Sequence, residues 1–168
     1  MIVAESVSKS FDGGKTFAAK NVSFTVETGT VLALLGGSGS GKSTVVKIIN
    51  RLIEPTAGKV LVGDEDIMQQ DPVLLRRKIG YVFQAIGLFP HMTVAENVGM
   101  VPKLLGQKPD EYKGRVDELL DMVELPASEF ANRYPHQMSG GQRQRVGFAR
   151  ALAGGAKVML LDLSLIHI

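Results

Sequence analysis

The sequence predicts an α/β fold with a parallel core sheet, an antiparallel N-terminal β layer and an inserted helical subdomain. The apolar run "TVLALL" is bounded by glycines and followed at once by a helical segment, as expected of a strand buried on both faces of a parallel sheet. Further apolar strand candidates alternate with helical stretches, which is the α/β pattern. The start of the chain instead shows partial two-residue alternation, the mark of a half-buried antiparallel layer.

Composition narrows the classes. The chain has 168 residues, 45% of them hydrophobic, enough for one sizeable core but hardly two. Nineteen Lys and Arg against 17 Asp and Glu leave a formal charge of +2, without the basic footprint of a dedicated nucleic-acid binder. With no cysteine, a disulfide framework and a thiolate zinc site are excluded. The opening "MIVAESVSKSF" lacks the charged and apolar regions of a secretion signal, so a cytoplasmic location is expected. No stretch approaches the roughly 18 uncharged apolar residues of a membrane span, so a membrane role would require partner subunits.

In chain order, "MIVAESV" and "NVSFTV" read as strands joined through a turn at "FDGGK". "TVLALL" and the helix "KSTVVKIINRL" follow, then strand candidates "GKVLVG", "KIGYVF" and "KVMLL". From about residue 89 to 135 the texture is helical. In "DEYKGRVDELLDMVEL", Tyr112, Val116, Leu119, Leu120 and Val123 share one face, and Pro126 is expected to stop the helix. In "TVAENVGMVPKLLG", Val94, Val98 and Val101 form a stripe that Pro102 should kink or end.

"GGSGSGKST" carries the chemistry. Gly36, Gly41, Lys42 and Ser43 complete the G-x-x-x-x-G-K-[ST] spacing at a strand-to-helix junction. Glycines let successive backbone N–H groups curl around phosphate oxygens, and the following helix aims its positive end at the anion. Gly36, Gly37, Ser38, Gly39, Ser40, Gly41, Lys42, Ser43 and Thr44 are therefore the candidate nucleotide phosphate site. Lys42 supplies charge for the terminal phosphates, and Ser43 supplies a hydroxyl for Mg²⁺. A second helix start follows Ser139, Gly140, Gly141 and Gln142 in "QMSGGQRQRVGFARALAGG".

These four residues resemble the signature of ATP-binding cassette (ABC) ATPases, with Met138 where the family usually has Leu. Phe11 in "SKSF" resembles the family's adenine-stacking aromatic, although a plain core aromatic is the alternative. Gln84 in "YVFQ" resembles the glutamine of its mobile loop, although an ordinary polar residue at a strand end would look the same. Asp162 in "VMLLD" resembles the Walker B carboxylate. The resemblance covers residues 1 to 162 and implies a P-loop NTPase fold, a nucleotide-binding domain over 1–162 and a helical subdomain at about 89–135. It implies ATP and Mg²⁺ as cofactors, with Ser43, Gln84 and Asp162 about the metal. The texture "QAIGLFPHMTVAENV", "VPKLLG" and "YPHQMSGGQ" is similar to ATPase subunits of bacterial importers for quaternary-amine osmoprotectants.

In that family two domains close head to tail, and Ser139–Gln142 would meet the nucleotide of a second copy. Transmembrane permease subunits would hold the pair on the inner face of the membrane, with no nucleic-acid partner. Soluble non-transport cassettes and regulatory nucleotide-binding modules are the competing classes. Arg143, Arg145 and Arg150 are expected to solvate one face of the signature helix, and His91 and His136 to be structural or surface residues. The family places a catalytic glutamate directly after the Walker B aspartate, where this chain has Leu163; loss of a positioned base costs ~10²–10⁴ in rate. His167 falls too early to replace the histidine that contacts the γ-phosphate.

The ending "LSLIHI", residues 163–168, is expected to be a non-native tail. Its reverse translation can be written ctg tct ctt ata cac atc, which matches a transposon end used in sequencing-library preparation. The core would then be incomplete after the Walker B strand, one sheet slot would be empty, and weak nucleotide affinity, no measurable ATPase and aggregation are expected.

Overall fold

The structure is a computed structural model that describes residues 1–84 and 86–162. The tail at 163–168, with Leu163 and His167, lies outside the described residues. The chain divides into two compact units, Met1–Arg76 and Arg77–Ile168.

The first unit is built on β1 (Ile2–Lys9), β2 (Ala19–Val26), β3 (Ala57–Val62) and β4 (Glu65–Asp66), in the order β2-β1-β3-β4. All its pairings are antiparallel, with Val3 opposite Thr25 on one side and Leu61 on the other. The alternation of β1 is only partial because it changes phase: Ile2 and Ala4 are buried, and then Val7. Both ladders of β1 shift register in this stretch, where Ser6 takes a φ of 50°. An extra residue in one strand turns the following side chains to the other face. "GKVLVG" joins this antiparallel layer rather than a parallel sheet.

Helix α1 (Lys42–Ile49) buries Val45, Val46, Ile48 and Ile49, and α2 (Pro72–Arg77) buries Leu75. The expected buried strand at "TVLALL" is corrected. Residues 31–37 take no strand assignment, with Val31 95% and Leu35 81% exposed. A parallel strand needs ladder partners on its flanks, and no described strand pairs with this one.

The second unit contains β5 (Ile79–Val82) and β6 (Val158–Leu161), paired in parallel from Ile79 opposite Val158 to Val82 opposite Leu161. Its helices are α3 (Val94–Leu104), α4 (Pro109–Met122), α5 (Ala127–Phe130) and α6 (Gly140–Ala153). Val94 and Val98 of α3, Val116, Leu119 and Leu120 of α4, and Val146 and Ala149 of α6 form one buried cluster, with Tyr112 and Val123 packed at its margin. The apolar faces read from spacing are thus the faces that meet.

The expected end of α4 at Pro126 is corrected, and α3 ends just beyond Pro102 rather than at it. Pro102 lies inside α3, which continues to Leu104; near a C-terminus its missing N–H interrupts little. Helix α4 stops at Met122, before Pro126. There Glu124 takes a φ of 58° and Leu125 N–H bonds back to Leu120 O at 2.9 Å, a left-handed closure of the last turn. Pro126 instead precedes α5.

Candidate functional site

In the first unit the stretch 36–44 leads into α1. Gly41 is the N-cap of α1 with a φ of 90°, a region open to glycine at little cost. A Cβ at Gly41 would collide with the backbone carbonyl of Ala18, so glycine is also required by close approach. The Lys42 ammonium donates to Gly36 O and Gly37 O, both at 2.7 Å, and to Ser40 Oγ at 3.0 Å. Ala18 and the residues from Gly39 to Thr44 line a cleft of about 300 Å³. A cleft lined by glycines, a lysine and a serine at the start of a helix is a receptor for an anion of phosphate type.

The chain before Ala18 is an ordered turn. Ala18 N–H bonds to Lys9 O at 2.8 Å and closes its base. Phe11 projects from it, 68% exposed, so the core-aromatic reading falls. The Lys9 ammonium lies 5.0 Å from the ring centroid. Asp12 organises the turn: Oδ1 accepts from Ser10 Oγ at 2.7 Å and Thr16 N–H at 2.9 Å, and Oδ2 from Thr16 Oγ1 at 2.6 Å. Ser10 Oγ in turn accepts from Gly14 N–H at 2.8 Å. The Thr16 hydroxyl and amide, then Ser10, hold the Asp12 carboxyl down to about 2. Ser10, Asp12 and Thr16 leave only a weak mark in the sequence, a cluster of turn-forming side chains.

In the second unit Gln84 is exposed just beyond β5. Asp162 follows β6; its N–H bonds to Val82 O at 3.0 Å, and Tyr81 Oη donates to its Oδ2 at 3.2 Å. Burial, and then the Asp162 carboxylate, raise the Tyr81 pKa. The sequence does not show this pair, because only the parallel register, with Tyr81 opposite Leu160, brings the Tyr81 hydroxyl within reach of Asp162.

Ser139 is the N-cap of α6. Its Oγ accepts from Gln142 N–H at 3.2 Å, and Gln142 Oε1 accepts from Ser139 N–H at 2.9 Å, a reciprocal capping box. Met138 is buried in the helical core, consistent with an apolar residue of leucine's volume before the cap. A Cβ on Gly140 or Gly141 would meet no atom within 4 Å.

The arginines of α6 do not simply solvate a face. Arg143 donates to Met138 O at 2.9 Å, Arg145 to Val123 O and Glu124 O at 3.1 Å, and Arg150 to Gly87 O and Ile86 O at 2.7 Å. Burial lowers the Arg150 pKa. His91 and His136 are exposed beside Phe89 and Tyr134. Among the described residues no three His, Cys, Asp or Glu side chains gather as a metal group. The proposed metal donors are a hydroxyl, an amide and a carboxylate, oxygen donors of the type Mg²⁺ takes.

Residues 19–163 match the family described as ABC transporter. The chain belongs to that family. Among ABC relatives, it is 51% identical to the choline transport ATP-binding protein OpuBA of Bacillus subtilis, over 96% of this chain and 42% of OpuBA. It is 48% identical to the osmoprotectant import ATP-binding protein OsmV of Salmonella typhimurium, over 96% of this chain and 43% of OsmV. The chain therefore spans under half the length of these curated relatives. Its fold superposes on the dimeric bacterial ABC transporter cassette MJ0796 with a TM-score of 0.85 and 39% identity, over 96% of this chain and 73% of that one. The same cassette bound to ADP and Pi gives a TM-score of 0.85 at 37% identity, over 98% of this chain and 77% of that one. Among the described residues no helix is long and apolar enough to cross a membrane.

Proposed function

We propose that this chain is the ATP-binding part of a subunit that powers an ABC importer for a quaternary-amine osmoprotectant. The observation that carries it is the cleft beside Ala18, lined by Gly39–Thr44 at the start of α1. The names of OpuBA and OsmV support the solute class. Residues 1–162 are read as a partial nucleotide-binding domain, with a helical subdomain at about 89–135.

In this reading residues 36–44 grip the phosphates and Phe11 stacks on the base. Ser43, Gln84 and Asp162 serve Mg²⁺, which when bound neutralises charge on the terminal phosphates. Ser139–Gln142 meet the nucleotide of a second copy, and the glycines fit that role. Among the described residues nothing crowds Gly140 or Gly141, so their missing side chains serve an approach from outside. Closure of the pair passes to permease subunits at the inner face of the membrane. With Leu163 at the base position, turnover by this chain is lowered ~10²-fold or more.

Calorimetric titration with Mg-ATP tests the site. Lys42→Ala is expected to weaken binding at least tenfold, and unchanged affinity would defeat the assignment. For the solute, cells that depend on the full-length protein should lose glycine betaine or choline uptake at high salt on Lys42→Ala. Retained uptake of both would remove the importer reading.

A further inference from the structure

We propose that Asp12 is a positioning residue for nucleotide binding: by bonding Ser10 and Thr16 across the turn it fixes Phe11 at a set distance from the phosphate cleft. The inference rests on Phe11 stacking on the base, as proposed above. Phe11 has little packing of its own to hold it, since it is 68% exposed. What constrains it is the covalent frame on either side. Ser10 is 7% exposed and is tied to the sheet through its N–H, which donates to Thr56 Oγ1 at 3.0 Å. At the far end, Ala18 N–H bonds to Lys9 O, and the Ala18 carbonyl lies against Gly41. Asp12 joins these ends, because its two oxygens collect Ser10 on one side and both polar groups of Thr16 on the other. The strongly acidic carboxyl agrees with an anion held by three donors.

The consequence is preorganisation. A loop already held in its binding conformation loses less freedom when a ligand docks. Truncating a stacking aromatic changes affinity roughly five- to 150-fold, and releasing the turn that presents it forfeits a part of that. Lys9 already faces the Phe11 ring at 5.0 Å, so one face is engaged by a cation and the base takes the other.

The chain has no tryptophan, so the indole introduced by Phe11→Trp is a unique reporter. ATP should shift its emission and inorganic tripolyphosphate should not. Added to that background, Asp12→Ala or Thr16→Val should weaken ATP about fivefold and leave tripolyphosphate affinity, read by calorimetry, unchanged. Asp12→Asn keeps one acceptor and should recover part of the loss, while the unchanged tripolyphosphate affinity separates positioning from a change in overall stability. Emission indifferent to ATP would remove the stacking role of Phe11 and this proposal with it. An ATP response with unaltered affinity in both turn variants would overturn the role of Asp12 alone. Equal weakening of ATP and tripolyphosphate would also overturn it, placing the effect at the phosphate cleft.

Discussion

Asn97 is fully buried on α3, and its side chain closes the loop that precedes the helix. Its Nδ2 donates to Phe89 O, Met92 O and Thr93 O, and its Oδ1 accepts from Phe89 N–H. Asn97→Ala removes the side-chain partner of Phe89 N–H and Met92 O, whereas Phe89 O and Thr93 O keep the N–H groups of Met92 and Asn97, and each buried unpaired group costs about 1–3 kcal/mol. A destabilisation of at least that size is expected in urea denaturation, and a loss under ~0.5 kcal/mol would show that water replaces the amide. Asp12 gives a second prediction at this scale. Its carboxyl is depressed from an ordinary 3.8 to about 2, so its contribution is complete above 3.8 and is lost as pH falls toward 2. The Thr16 amide resonance should therefore hold its position from neutral pH to about 3 and move with a midpoint near 2. A midpoint near 3.8 would mean that the turn does not form. Neither residue was legible in the sequence, because the partners that define their roles are assembled by loop geometry. Lys42 and Ser139 were legible, because their partners lie within a few residues in the chain.

Helix α6 shows what local pattern can and cannot reveal. Its start is written in the chain: Ser139 and Gln142 satisfy each other's backbone N–H groups, and that spacing reads directly as a cap. The roles of its arginines are not written there, since Arg145 and Arg150 bond carbonyls outside the helix. The same holds for α4, whose apolar face was evident but whose end is set by Glu124 in a left-handed turn. Gly140 and Gly141 stand in the first turn of α6 with open space where a Cβ would be. Alanine in place of helical glycine stabilises by ~0.5–1 kcal/mol. Gly140→Ala and Gly141→Ala should thus raise or maintain the melting temperature of this chain. In the full-length protein the same changes should abolish ATP-driven dimer formation, measured by light scattering. Variants that melt lower would place the glycines in the fold itself, and variants that dimerise normally would remove the signature role.

Across the molecule, sheet membership was the least legible property. "GKVLVG" and "KVMLL" look alike as short apolar runs, yet the first pairs antiparallel with β1 and the second parallel with β5. A strand's identity is local, whereas its partner is set by topology. "TVLALL" makes the point most strongly, since its strand-like residues stay outside every described ladder. Val31 and Leu35 are 95% and 81% exposed, and Leu32 is 43% exposed. The run from Thr30 to Leu35 has no charge and no proline, so it is a template for pairing between chains. The chain is therefore expected to associate as its concentration rises, in sedimentation velocity and in thioflavin fluorescence. Val31→Lys and Leu35→Lys place charge on that template and should suppress the association without changing the melting of the helical core. The same two substitutions on exposed Val73 and Leu74 of α2, 53% and 54% exposed, serve as the control. They alter surface hydrophobicity equally but leave the unpaired segment intact, so they should not slow association. If both pairs act alike, general surface apolarity rather than strand pairing drives the process.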